Sequence, residues 1–208
     1  MKLSGLTGGL YRMSEWIMKF AYVNLLWLLF SCVGLLVFGI MPSTAALFAV
    51  VRKWIMGQHD IPVFKMFWET YKKCFIKINI IGIILYIIGI ILYIDFLHFT
   101  SHSGLFFIIF LVLSIIYCIM LLYIFPIFSH FELSIGQYFT YSLVLGISNI
   151  LSTIMMICCL LVYFFILRLV PGILPFFSGS VVSFIVMWIA YQAFKKLEKR
   201  KNTTAVEK

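Results

Sequence analysis

The chain has 208 residues, of which 64% are apolar and 11% are charged, and its formal net charge is +9. Soluble domains contain roughly half apolar and a quarter charged residues, so this composition excludes an ordinary soluble protein. The length accommodates one membrane domain and no separate soluble domain. The basic residues cluster beside apolar stretches, where they set membrane orientation and meet acidic headgroups, and this placement argues against nucleic-acid binding.

Five apolar stretches are long enough to cross a hydrocarbon core, which needs roughly 20 helical residues. They predict an all-α, polytopic membrane bundle in contact with the lipid bilayer. The first stretch is expected to be retained, because its apolar core is longer than that of a cleaved signal peptide. The predicted spans are residues 20–40, 78–97, 105–128, 143–167 and 173–194.

The segment 42–77, between the first two predicted spans, combines basic and aromatic residues. Pro42 is expected to end the first span, because proline lacks an N–H and starts helices better than it continues them. Further on, aromatic side chains recur at helical spacing on one side and lysines on the other, which predicts an amphipathic helix at the membrane interface. The alternative is a surface that docks a cytoplasmic partner. The candidate surface consists of Arg52, Lys53, Phe64, Phe67, Trp68, Tyr71, Lys72 and Lys73.

Lysine and arginine counts predict the orientation, because cytoplasmic loops carry an excess of these residues. Segment 42–77 and the basic tail 195–208 are therefore expected on the cytoplasmic side of a cell membrane. Five plain crossings, the preferred interpretation, then place the N-terminus outside, in conflict with its Lys2, Arg12 and Lys19. The alternative is a re-entrant helix over residues 42–54, which makes the first span one arm of a hairpin and leaves the N-terminus inside.

A few polar and small residues lie within the apolar spans. Asn24 is expected to face another helix, because an amide in hydrocarbon needs a hydrogen-bond partner. In the fourth span, small and polar residues at positions i, i+4, i+7 and i+11 form one stripe. These residues predict either a helix-packing interface or a polar passage. The stripe consists of Ser142, Gly146, Asn149 and Thr153.

Residues able to bind metals or perform catalysis are sparse. Asp95, His98 and His102 would share a face of a continuous helix, but residues 101–104 are typical of a turn and no fourth ligand is near, so no metal site is predicted. The five cysteines are odd in number and lack a Cys-x-x-Cys pair, which favours neither disulfides nor zinc. No catalytic motif or cofactor-binding loop occurs, so we expect neither an enzyme nor a cofactor.

Three motifs in the first third of the chain have a familiar combination. They are residues 22–27 (YVNLLW), 39–54 (GIMPSTAALFAVVRKW) and 60–68 (DIPVFKMFW). This combination resembles the YesL-like family of small bacterial membrane proteins. The resemblance implies a helical inner-membrane protein of Gram-positive type bacteria, often encoded beside sugar-uptake and polysaccharide-degradation genes. It implies no catalytic residues.

The resemblance leads to an expected function. We expect a non-enzymatic accessory or regulatory component of carbohydrate uptake, with the bundle binding a sugar-uptake permease in the membrane. The alternative is a stand-alone transporter of small, sugar-related molecules, which would need a polar cavity joining Asn24, Asn149 and Thr153. Neither the substrate nor the oligomeric state follows from the sequence.

Overall fold

A computed structural model describes residues 6–99 and 104–206 of the chain, and the side chains of residues 9–97, 104 and 107–196. The all-α fold predicted from the sequence is confirmed: the described residues form seven α-helices and one short 3₁₀-helix and contain no strand. The α-helices are α1 (Leu6–Val33), α2 (Val37–Ile55), α3 (Val63–Phe99), α4 (Gly104–His130), α5 (Ile135–Ser148), α6 (Ile150–Leu169) and α7 (Leu174–Val206), and the 3₁₀-helix covers Pro171–Ile173.

Five helical segments are long and apolar enough to cross a membrane, as expected for a multi-pass membrane protein. The third and fifth predicted spans agree with these segments to within two residues at each end. The first, second and fourth predicted spans differ from the observed segments in their bounds. The five segments are Gly9–Val33, Val63–Leu97, Phe107–His130, Ile150–Leu169 and Pro171–Lys196.

The first predicted span, 20–40, is wrong because the chain turns at residues 34–36. Leu35 and Leu36 adopt φ values of 58° and 60°, in the left-handed region that residues with a Cβ rarely adopt. Gly34 and Gly39 pack against each other across the turn. A Cβ added to Gly34 would lie 2.3 Å from the Cα of Gly39. The turn therefore reverses the chain at a point of direct backbone contact.

Helices α1 and α2 form an antiparallel hairpin. At its open end the rings of Trp16 and Trp54 pack edge to face, with centroids 5.8 Å apart. Lys19 Nζ donates to the carbonyl of His59, 3.2 Å away, just beyond α2. The packing of α1 and α2 is the hairpin on which the alternative to five plain crossings depends, and its second arm, Val37–Ile55, is longer than the expected helix over residues 42–54.

Helix α2 lies at the centre of the bundle, where it packs against α1, α3, α4 and α7. Ala46, Val50 and Val51 are completely buried. The prediction that Pro42 ends a span is wrong, because Pro42 lies inside α2, which begins five residues earlier. The first half of the segment 42–77 is therefore part of the core of the protein.

The amphipathic segment 64–78 is helical, as predicted, but it is not a separate interfacial helix. It forms the first turns of α3, which continues without a break to Phe99. Ile78, Ile81 and Leu85 continue its buried face into the apolar part of the helix. The second predicted span, 78–97, is therefore the later part of a much longer element.

A break at Asn149 divides the fourth predicted span, 143–167. Helix α5 ends at Ser148, Asn149 has φ −123° and ψ 52°, and α6 begins at Ile150. The Thr153 hydroxyl donates to the carbonyl of Gly146, 2.9 Å away across the break. Where the helix is interrupted, the Gly146 carbonyl loses its usual backbone donor, and the Thr153 hydroxyl replaces that donor. This hydrogen bond therefore stabilises the break.

Contacts bring most of the described basic residues to one end of the bundle, which we call the basic end. Arg52 Nη1 donates to the carbonyl of Ser129 at 2.8 Å, which joins α2 to the end of α4. The ring of His130 lies 4.9 Å from that of Phe194, which joins α4 to the later part of α7. With Lys19 bound to the segment after α2, the beginning of α1 lies at this end too.

Candidate functional site: intramembrane polar groups and a basic cleft

Asn24 is fully buried and connects α1 to the beginning of α7. Its Nδ2 donates to the carbonyl of Pro175 at 2.7 Å. Its Oδ1 accepts hydrogen bonds from the backbone N–H groups of Gly179 and Ser180 at 2.8 and 2.9 Å. Gly179 also faces Trp27, because a Cβ at this position would lie 3.1 Å from the indole ring. Asn24 therefore lies between two closely packed helices with both ends of its amide bonded.

The predicted stripe of the fourth span packs mainly against α4. A Cβ added to Gly146 would lie 2.2 Å from Cγ2 of Ile119, so the two helices are in very close contact there. The Thr153 hydroxyl lies 3.0 Å from the Tyr123 hydroxyl in the buried interior. The Thr153 hydroxyl also has the carbonyls of Gly146 and Asn149 as acceptors, at 2.9 and 3.3 Å, and this arrangement favours the Tyr123 hydroxyl as the donor in the pair.

The other two stripe residues bond within their own helix. The buried Ser142 hydroxyl donates to the carbonyl of Tyr138 at 2.6 Å. The half-buried Asn149 amide donates to the carbonyl of Leu145 at 3.2 Å. Asn24 bonds α7, whereas the stripe bonds α4 and α5, so the structure places the two predicted groups in different helix contacts.

The predicted aromatic surface is divided between the interior and the exterior of the bundle. Phe67 and Tyr71 are buried, and their rings lie 5.4 and 5.2 Å from the ring of Phe30 on α1. Phe64 and Trp68 stay partly exposed, and the Lys72 ammonium lies 4.8 Å from the Trp68 ring centroid. Only this outer part is available to lipid or to another protein.

A cleft of about 560 Å³ opens at the basic end, between α2, α3, the end of α4 and the beginning of α5. Sequence reasoning assigned Arg52 and Lys73 to an outer surface and did not identify this cleft. The spacing of Lys73 and Lys77, four residues apart on one helix face, was the available signal. The charged residues that line the cleft are Arg52, Glu69, Lys73, Lys77 and Glu132.

Arg52 is a partly enclosed cation of the cleft. It lies in the last turn of α2, is half-buried, and gives one N–H to the carbonyl of Ser129. Its Nε is buried and has no hydrogen-bond partner among the described residues. Burial lowers the pKa of the Arg52 guanidinium, but arginine has so high an ordinary pKa that it stays charged at neutral pH.

The two lysines of the cleft differ in how firmly they are held. Lys77 Nζ donates to the carbonyl of Leu133 at 2.6 Å and lies 5.1 Å from the ring centroid of Tyr138. Lys73 and Glu132 form an ion pair at 3.2 Å, but their side chains are 82% and 91% exposed. Such an exposed pair contributes little stability. Lys77 is therefore the better positioned of the two.

The metal-ligand candidates at the opposite end are only partly described. Asp95 lies near the end of α3, whereas the His98 side chain and all of His102 fall outside the described residues. In the part of the chain whose side chains are described, no three His, Cys, Asp or Glu residues lie close enough to hold a metal ion. All five cysteines are free thiols.

Comparisons with known proteins give relatives but no activity. A family model described as "Protein of unknown function, DUF624" matches residues 20–96. Among Bacillus subtilis (strain 168) proteins, the uncharacterised YteU is 45% identical over 202 residues, covering 96% of this chain and 91% of YteU. The uncharacterised YesV is 37% identical, covering 92% and 94%, and the uncharacterised YesL is 33% identical, covering 97% of both chains. No solved structure matches.

Proposed function

The chain belongs to the family of the YteU and YesL proteins, and its residues 20–96 match the DUF624 model of proteins of unknown function. We propose that it is a non-enzymatic accessory component of carbohydrate uptake. In this proposal the bundle binds a sugar-uptake permease within the cell membrane. The link to sugars comes from the YesL-like resemblance, which implies neighbouring uptake genes.

One observation carries the accessory function: the two polar groups that a transport path would need, Asn24 and Thr153, are bonded to the bundle itself. The Asn24 amide is bonded at both ends, and the Thr153 hydroxyl both donates and accepts. A transport path needs polar groups that exchange partners with a passing solute. Groups fixed in helix contacts instead favour a packed body that acts by binding another protein.

The proposed orientation places the basic end in the cytoplasm. Cytoplasmic flanks are rich in lysine and arginine, and the basic end combines the beginning of α1 with the cleft and the later part of α7. The turn between α6 and α7 has Arg168 alone. Lys19 and Arg12 then agree with the charge rule, because the hairpin places the beginning of α1 at the same end of the bundle as the end of α2.

The proposed contact with the permease is the outer part of the aromatic surface, Phe64, Trp68 and Lys72. Phe64 and Trp68 are partly exposed although they are large and aromatic, and aromatic residues are enriched at protein interfaces. The buried residues Phe67 and Tyr71 support this surface from behind, through their contacts with Phe30.

Co-purification tests this association. The tagged chain is isolated in mild detergent from its native host, grown on a carbohydrate that induces uptake, and its partners are identified by mass spectrometry. We expect a permease to be recovered with the native protein and lost with Trp68→Ala combined with Lys72→Ala. The matched control is Leu151→Ala, on an 80% exposed site of α6, which should retain the permease.

Two results contradict the proposal. The first is repeated absence of any permease from the native complex under inducing growth. The second is sugar uptake by the purified protein alone in liposomes, which would establish the stand-alone transporter instead. In that case Asn24→Leu and Thr153→Val should reduce the uptake, because a transport path would depend on these polar groups.

A further inference from the structure

The cleft at the basic end holds cations that lack carboxylate partners. Lys73 is paired with Glu132. Among the described side chains, which exclude residues 98–103, 105–106 and both ends of the chain, no carboxylate oxygen lies within 4 Å of Arg52 or Lys77. Glu69 also lines the cleft, so its charged lining is three cations and two carboxylates. The inner part of the cleft therefore has an excess of positive charge.

Arg52 and Lys77 keep hydrogen-bond donors that no acceptor among the described residues uses. The guanidinium has five N–H groups, of which one binds Ser129, and the buried Nε has no partner in the part of the chain that the structure describes. The Lys77 ammonium has three N–H groups, of which one binds Leu133. A buried donor without a partner destabilises the protein unless a bound group accepts its hydrogen bond.

The size of the cleft suits a small anionic group. Its volume of about 560 Å³ lies within the range of small-molecule sites. Ala45 and Ala49 line the α2 side, where their small side chains leave space beside Arg52. The ring of Tyr138 and the stem of Lys77 form part of the opposite wall.

We propose that this cleft binds a phosphate group, with Arg52 and Lys77 as its principal donors. Guanidinium groups match phosphate oxygens in a forked geometry, and a nearby ammonium adds charge and further donors. Two sources carry this chemistry: the headgroup of an anionic phospholipid, since basic pockets between membrane helices receive such headgroups, and a phosphorylated solute. The site does not depend on the permease association, because it is complete within this chain.

Binding to the purified full-length protein in neutral detergent tests the site. The probes are inorganic phosphate, a hexose phosphate and phosphatidylglycerol, with phosphatidylcholine as the lipid control. Thermal unfolding measures stabilisation, and native mass spectrometry measures lipid retention. We expect saturable binding of phosphate probes. Retention of phosphatidylglycerol over phosphatidylcholine identifies a lipid site, and stabilisation by the hexose phosphate identifies a solute site.

Variants distinguish binding in the cleft from non-specific attraction to the positive charge of the protein. Lys77→Gln should weaken binding by roughly tenfold or more, as expected for a hydrogen bond to a charged group. Arg52→Lys keeps the positive charge but removes the paired N–H donors of the guanidinium, and should also weaken phosphate binding. Lys65→Gln removes the same charge from an exposed site outside the cleft and should leave affinity unchanged. Absence of saturable binding by every phosphate probe overturns the proposal, as does an equal loss in Lys77→Gln and Lys65→Gln.

Discussion

Replacing Gly39 with alanine should destabilise the protein by preventing close contact between α1 and α2. The added Cβ would lie 2.2 Å from the carbonyl oxygen of Ser31 and 2.9 Å from that of Phe30. These are backbone atoms, which cannot rotate away, so the helices must separate by about 1 Å. Overpacking of this kind costs about 3 kcal/mol, and the better helix propensity of alanine returns about 1 kcal/mol. The expected net loss is about 2 kcal/mol of unfolding free energy.

The assay is thermal unfolding of the purified protein in detergent. For a chain of this length, a loss of about 2 kcal/mol lowers the Tm by about 4 to 8 °C. Gly136→Ala is the matched control, because nothing lies within 4 Å of a Cβ at this helical position. Its Tm should stay unchanged or rise slightly. If Gly39→Ala melts at or above the Tm of the native protein, the hairpin contact does not constrain the fold as argued.

Three further predictions concern other contacts and use the same assay. Asn24→Leu removes three hydrogen bonds to α7 and should cost about 2 kcal/mol; an unchanged Tm would show that these bonds contribute nothing. Thr153→Val should cost more than Tyr123→Phe, because valine leaves two buried oxygens without their partner and phenylalanine removes only a donor; the reverse order would contradict this assignment of donors. Leu35→Gly should raise the Tm relative to Leu35→Ala, since only glycine relieves the positive φ at this 81% exposed site; equal Tm values would argue against strain in the turn.

Part of the candidate site could be predicted from individual residues of the sequence. An amide inside an apolar stretch needs a partner, so the burial of Asn24 against another helix follows from elementary energetics. The small residue at Gly146 likewise indicated a close helix contact, here with Ile119. The sequence could not name the partner helices, because any of several apolar spans could supply a backbone carbonyl or a close face.

The basic cleft shows the limit of a helix-by-helix interpretation. The sequence placed Arg52 and Lys73 on one outer surface, but only Lys73 is largely exposed, whereas Arg52 is half-buried. The structure adds Glu132 and the carbonyls of Ser129 and Leu133 from α4 and the connection to α5. These groups come from about 55 to 80 residues further along the chain, so only folding brings them together with Lys77.

The amino-acid sequence by itself determined the class of the protein, since apolar stretches this long would expose their side chains to water outside a membrane, and a helix satisfies its own backbone hydrogen bonds in lipid. It also located the third and fifth spans to within two residues, because length and hydropathy are properties of a single stretch and do not depend on its neighbours. Only the tertiary structure decided that α2 is the buried centre of the bundle. Residues 34–36 reverse the chain because Gly34 and Gly39 allow two backbones to touch, and such a contact between segments leaves little trace in local hydropathy.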